Sequence, residues 1–204
     1  MKPARDSTDV IPPVRAIVLG ASAGGVDAVG RLLVALPAPY RPAVMVVLHL
    51  PAGKPSLLAG LFGARCRLPV REALDKEPIE PGVVYLAPPD YHMLVEPGET
   101  IALSSDAPVR FSRPSIDVLL ESAALCYGKT LLGVVLTGAN DDGAAGLEAV
   151  RRCGGRACVQ EPSDALASAM PAAAIERTRP DLILPLAELA ERLVHLRSGR
   201  VVAI

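Results

Sequence analysis

With 204 residues and a formal net charge of −1, from 21 Lys plus Arg against 22 Asp plus Glu, the chain has the length of one folded domain and no global field to attract nucleic acid or an anionic membrane. Half of its residues are hydrophobic, which excludes disorder as the main state, and 3% aromatic content with no Trp argues against stacking platforms for single-stranded nucleic acid. No apolar run approaches the roughly 20 residues that span a bilayer, the N-terminus lacks a secretory apolar stretch, and the cysteines at 66, 126, 153 and 158 form no CxxC pair, so buried reduced thiols and a cytoplasmic setting are the default.

The stretch 14–20 (VRAIVLG) predicts a strand ending in glycine, followed by a helix in which Val26, Val29, Leu32, Leu33 and Leu36 recur at helical spacing. Residues 43–49 (AVMVVLH) are almost continuously apolar, as in a strand buried on both faces of a parallel sheet. A helix over 57–62, strands over 68–72 and 83–87 and a turn at Pro88-Pro89-Asp90 come next. The segments 93–96 and 100–103, split by Pro97-Gly98-Glu99, predict an antiparallel hairpin added to the sheet. Ser115 is placed as the N-cap of a helix ending at Tyr127, and 131–137 (LLGVVLT) as another buried strand. A helix over 143–152 stops at Gly154-Gly155, a strand covers 156–160, and a helix over 171–177 carries Pro171 in its first turn. Segments 181–184, 187–196 and 200–203 complete the alternation. The fold expected is a three-layer α/β/α domain over 14–204, with a doubly wound, mainly parallel sheet and a flexible tail over 1–13.

In such a sheet, chemistry collects beyond the carboxyl ends of the strands, and three loops there stand out. The first reads Gly20-Ala21-Ser22-Ala23-Gly24-Gly25. A dinucleotide fingerprint needs glycine where Ser22 stands and an acid where the second strand ends in His49, so nucleotide binding is set aside. Small neighbours leave Ser22 accessible as a nucleophile, with the next helix offering N–H groups to an oxyanion; its alternative role is a plain N-cap. His49 suits a general base reaching towards Ser22, its alternative being a core histidine bonded to backbone. His92, at the mouth of the hairpin, reads as part of a solvated turn or the rim of a cleft, and His195 as structural, near a helix end. The third loop carries Asp141 and Asp142 at a helix start, where they cap the helix, bind Mg²⁺ through oxygen, or orient His49; no third acid in a neighbouring loop completes a metal site.

Taken together, GAS-x-GG at 20–25, His-Leu-Pro at 49–51, APPDYHM at 87–93, RPSIDVL at 113–119 and LTGANDDGAAG at 136–146 resemble the catalytic domain of the CheB-type chemotaxis receptor methylesterases. The resemblance implies a serine hydrolase that cleaves glutamate γ-methyl esters, and in many members deamidates glutamine, on the signalling helices of methyl-accepting chemotaxis receptors. It needs no metal or organic cofactor, nucleic acid or membrane insertion. Position by position it implies Ser22 as nucleophile, His49 as base and Asp142, the acid directly before glycine, as orienting carboxylate. Ala23, Ala139 and Asn140 then fall in the substrate or oxyanion loop, where the family commonly has Thr after the serine and TGMG in place of Thr137-Gly138-Ala139-Asn140. Ala169-Met170-Pro171 likewise replaces a common Gly-Met-Pro. The segment before the first strand is too short for the family's receiver domain, so a stand-alone form, with any receiver on a separate chain, is expected. A signalling module that keeps the fold without catalysis is the alternative.

Overall fold

The structure, a computed structural model, describes residues 12–49 and 56–196. Most of the expected tail, Leu50 and Pro51 of the His-Leu-Pro motif, and the strand expected over 200–203 lie outside the described residues. The first half of the chain supplies β1 (Ala16–Ala21), α1 (Gly25–Ala35), β2 (Ala43–Leu48), α2 (Leu58–Gly63), β3 (Val70–Glu72), β4 (Val84–Leu86), β5 (His92–Glu96) and β6 (Thr100–Ser104). The second supplies α3 (Ile116–Tyr127), β7 (Leu131–Val135), α4 (Ala144–Arg152), β8 (Arg156–Gln160), α5 (Ala169–Thr178), β9 (Leu182–Leu184) and α6 (Leu186–His195). Seven strands form one sheet in the order β3-β4-β2-β1-β7-β8-β9, every neighbouring pair parallel. The chain builds outward from β1 first towards β4 and then, from β7, in the other direction, so β1 and β7 flank the switch point of the sheet.

Helices cover both faces, which is why β1, β2 and β7 are buried at every residue and read as continuous apolar runs. Strand alternation sorts them between two cores. Ile17, Leu19, Val44, Val46, Leu132 and Val134 pack with α1 and α6, while Val18, Met45, Val47 and Val135 pack with α3, α4 and α5. Carrying that alternation past the strand ends assigns Ser22, His49 and Thr137 to the α3 side.

The hairpin differs from expectation in its attachment. β5 and β6 form a two-stranded sheet of their own, β6 bridging to the segment 76–79 and not to the main sheet, and rest on α3, where Ser122 Oγ accepts from Val95 N at 3.1 Å. His92, expected in a solvated turn, is 2% exposed. Its Nδ1 accepts from Ser115 N at 3.1 Å, so Nε2 carries the proton and donates to Ala107 O at 3.1 Å. His92 therefore fixes the entry to α3. The expected burial of all thiols holds fully only for Cys158; Cys66, Cys126 and Cys153 are half-buried, and all four are free. Among the described residues no helix is long and apolar enough to cross a membrane.

Candidate active site

The register of three adjacent strands brings the site together. Ala21 pairs with Leu48, and His49 N donates to Ala21 O at 3.2 Å, so Ser22 and His49 are the next residues along two neighbouring parallel strands. On the other side Ser22 N donates to Thr137 O at 2.9 Å, just beyond β7. The turn after Ser22 closes through Gly25 N to Ser22 O at 2.7 Å and needs a left-handed residue at Gly24, φ 78°. Gly24 is the N-cap of α1, with no side-chain cap, so Ser22 does not serve as that cap. Gly20 matters for a different reason: a Cβ there would lie 2.2 Å from Ile116 Cγ2, and glycine lets the start of α3 close onto β1 beside Ser22.

Asp142 is completely buried and accepts four hydrogen bonds. Its Oδ2 takes His49 Nε2 at 2.8 Å and Ile116 N at 2.7 Å, and its Oδ1 takes Ser115 Oγ at 2.9 Å and Asp117 N at 3.0 Å. Burial alone would raise its pKa, but the bonds from His49 and from the Asp117 and Ile116 N–H groups outweigh it and hold the carboxyl below its ordinary range. An ionised Asp142 only accepts, so Nε2 of His49 carries its proton and Nδ1 keeps the free lone pair. This reverses the ring assignment of the serine protease triad, where the carboxylate holds Nδ1. Ser112 Oγ lies 3.5 Å from Nδ1. Ser22 Oγ makes no hydrogen bond among the described residues.

Two helix starts exchange their capping carboxylates. Asp142 precedes α4 yet binds the first N–H groups of α3; Asp117, in the first turn of α3, accepts at Oδ1 from Gly143 N at 2.9 Å and Gly146 N at 2.6 Å at the start of α4. Asp117 is 4% exposed, and burial pushes its pKa up despite the Gly146 N–H and Arg110 bonds. Arg110 Nε donates to Asp117 Oδ2 at 3.0 Å, and its Nη1 pairs with the exposed carboxylate of Asp141. Asp117→Ala would strip the acceptor from three donors at once. It should cost about 2–4 kcal/mol, read from the urea midpoint at constant m.

Of the residues expected in the substrate loop, Ala23 and Ala139 are exposed, while Asn140 Oδ1 accepts from Asp142 N at 3.2 Å and so shapes the loop. Thr137 Oγ1 donates to Ala23 O at 2.8 Å and accepts from Ala167 N at 2.9 Å, joining the Ser22 turn to the loop before α5. Sequence reasoning passed over Ser112, Asp117 and Arg110, though 113–119 had been singled out as a motif; it named Thr137 only as a loop position, and it placed Ser115 as the N-cap of α3, a role the residue fills while also donating to Asp142. Among the described residues no group of three or more His, Cys, Asp or Glu side chains is placed to hold a metal ion.

A family model described as CheB methylesterase matches residues 17–193. A Leptospira interrogans protein that bears the name protein-glutamate methylesterase/protein-glutamine glutaminase is 43% identical over 186 residues, 91% of this chain and 96% of its own length. A protein-glutamate methylesterase/protein-glutamine glutaminase of Bordetella parapertussis is 41% identical over 188 residues, 90% of this chain but 53% of that protein, so the chain spans about half its length. The crystal structure of the Thermotoga maritima CheB methylesterase catalytic domain superposes with a TM-score of 0.86 at 31% identity, covering 90% of this chain and 98% of that one.

Proposed function

Because this chain belongs to the CheB methylesterase family, we propose that it hydrolyses glutamate γ-methyl esters on methyl-accepting chemotaxis receptors, with Ser22 as nucleophile, His49 as general base and Asp142 as the carboxylate that orients the base. The 2.8 Å bond from His49 Nε2 to a buried, ionised Asp142 carries this reading, since it leaves Nδ1 as the basic nitrogen one residue across from Ser22. A module without catalysis would use the Asp142 carboxylate to cap α3 but has no need of its bond to His49.

The chemistry follows from those atoms. As Ser22 Oγ attacks the ester carbonyl carbon, Nδ1 takes its proton, and Asp142 stabilises the imidazolium through Nε2–H. The tetrahedral oxyanion meets the N–H groups of Ala23 and Gly24 at the start of α1, neither of which has an acceptor among the described residues. Collapse breaks the bond to methoxide, which leaves as methanol with the proton from Nδ1. Water, deprotonated by Nδ1, then attacks the acyl-Ser22, giving glutamate and the free hydroxyl. With glutamine in the site the same steps release ammonia.

Only an unprotonated Nδ1 accepts a proton, whereas Asp142, held below its ordinary range, stays ionised throughout the range in which imidazoles titrate. Methanol release from a methyl-esterified receptor fragment should therefore fall on acidification as Nδ1 gains its proton while Asp142 is still ionised. A flat profile across that imidazole range would remove His49 from the role of base.

A further inference from the structure

Residues 109–112 form a tight turn against the site. Val109 and Ser112 exchange both backbone hydrogen bonds, at 3.1 and 2.9 Å, which leaves Arg110 and Phe111 alone to reverse the chain. Both take the left-handed backbone, φ 48° and 62°, in a type of turn that ordinarily selects Asn and Gly because a Cβ is strained there. The turn is held on both sides beside the site: Arg110 reaches Asp117 and Asp141, and Ser112 Oγ faces His49 Nδ1. Its outcome is that Phe111 points away from the fold, fully exposed, whereas the chain's other phenylalanine, Phe62, is 4% exposed in the core. A second large apolar side chain, Leu166, 83% exposed, lies over Gly24, two residues after Ser22.

We infer that Phe111 and Leu166 are the substrate-docking side chains of this enzyme, taking apolar groups of the polypeptide segment that flanks the esterified glutamate. The inference rests on the proposed reaction and adds how a protein substrate is held. A single glutamyl side chain offers little surface to the Ser22 turn, so most binding energy has to come from the polypeptide around it. An exposed aromatic side chain that becomes desolvated on contact is the kind of group that dominates protein interfaces. Arg110 is already committed to two carboxylates, so the turn meets its partner through the ring of Phe111 and not through charge. The strain at Arg110 is held by its bonds to Asp117 and Asp141, whereas Phe111 carries the same strain with a fully exposed side chain, as fits a residue positioned for a partner.

The test compares a methyl-esterified receptor fragment with p-nitrophenyl acetate, a small ester that carries no flanking polypeptide. Phe111→Ala should lower the ratio of kcat/KM on the fragment to that on the small ester by about tenfold or more, mainly through KM. Phe111→Leu should hold that ratio within about threefold of wild type. Phe111→Gly should lower it as alanine does while its Tm stays level or rises, because glycine relieves the left-handed strain. An unchanged ratio in the alanine and glycine variants would overturn the inference, and so would equal losses on both esters, which would mean that the turn acts through the position of His49. If the wild-type protein cleaves p-nitrophenyl acetate but releases no methanol from the fragment, the reading of the substrate itself falls, and this inference with it.

Discussion

Replacing Ser22 with alanine is expected to lower kcat for methanol release by at least about 10³-fold, with Tm within about 2 °C of wild type. The two halves of that expectation come from different features. Ser22 Oγ takes part in no hydrogen bond among the described residues, and the turn is closed by backbone groups, Gly25 N to Ser22 O and Ser22 N to Thr137 O, that alanine keeps. Removing the hydroxyl removes the proposed attacking atom and little else. A variant that retains most of its activity would exclude Ser22 as nucleophile; one that unfolds would show that the turn depends on the hydroxyl.

The second large effect is at Asp142, where activity and stability should fall together. Asp142→Asn replaces one acceptor oxygen with an NH₂ group, which must then face two donors: His49 Nε2–H and Ile116 N–H, or Ser115 Oγ and Asp117 N–H. The first arrangement drives the imidazole towards the wrong tautomer, and the second undoes the cap of α3. The expected loss in kcat is about 10²- to 10⁴-fold, with about 1–3 kcal/mol of destabilisation from the unsatisfied buried donor. Asp141→Asn is the control. Its carboxylate is 55% exposed and pairs with Arg110 at the surface, so kcat should stay within about threefold. Kinetics and urea denaturation on the two variants separate the roles of adjacent acids, and the reverse asymmetry would move the orienting role to Asp141.

The layered fold was legible because burial on both faces leaves a direct trace in composition: β1, β2 and β7 appear as unbroken apolar stretches, and their carboxyl ends coincide with the only loops where Ser22, His49 and the Asp141-Asp142 pair stand. Whether Ser22 caps α1 was not legible from the loop. That depends on which residue takes the left-handed conformation, and Gly24 takes it. The exchange between Asp117 and Asp142 was hidden for another reason. Each acid sits at a helix start, where it reads as a partner of its own helix; each instead serves the other's, across 25 residues of sequence that periodicity does not relate. His92 was misread because Pro88-Pro89-Asp90 signals a turn, while its burial depends on tertiary contact with Ser115 and Ala107. The reversal of the His49 ring likewise follows from where α3 brings Asp142, a property of packing.

The most direct test is to quench the wild-type protein in acid during turnover of a methyl-esterified receptor fragment and look for enzyme covalently joined to the fragment. The account predicts an alkali-labile conjugate with the summed mass of the two chains less methanol, its ester bond mapped by mass spectrometry to Ser22, and none with Ser22→Ala. A conjugate through any other residue, or methanol released at the wild-type rate by the Ser22→Ala protein, would contradict it.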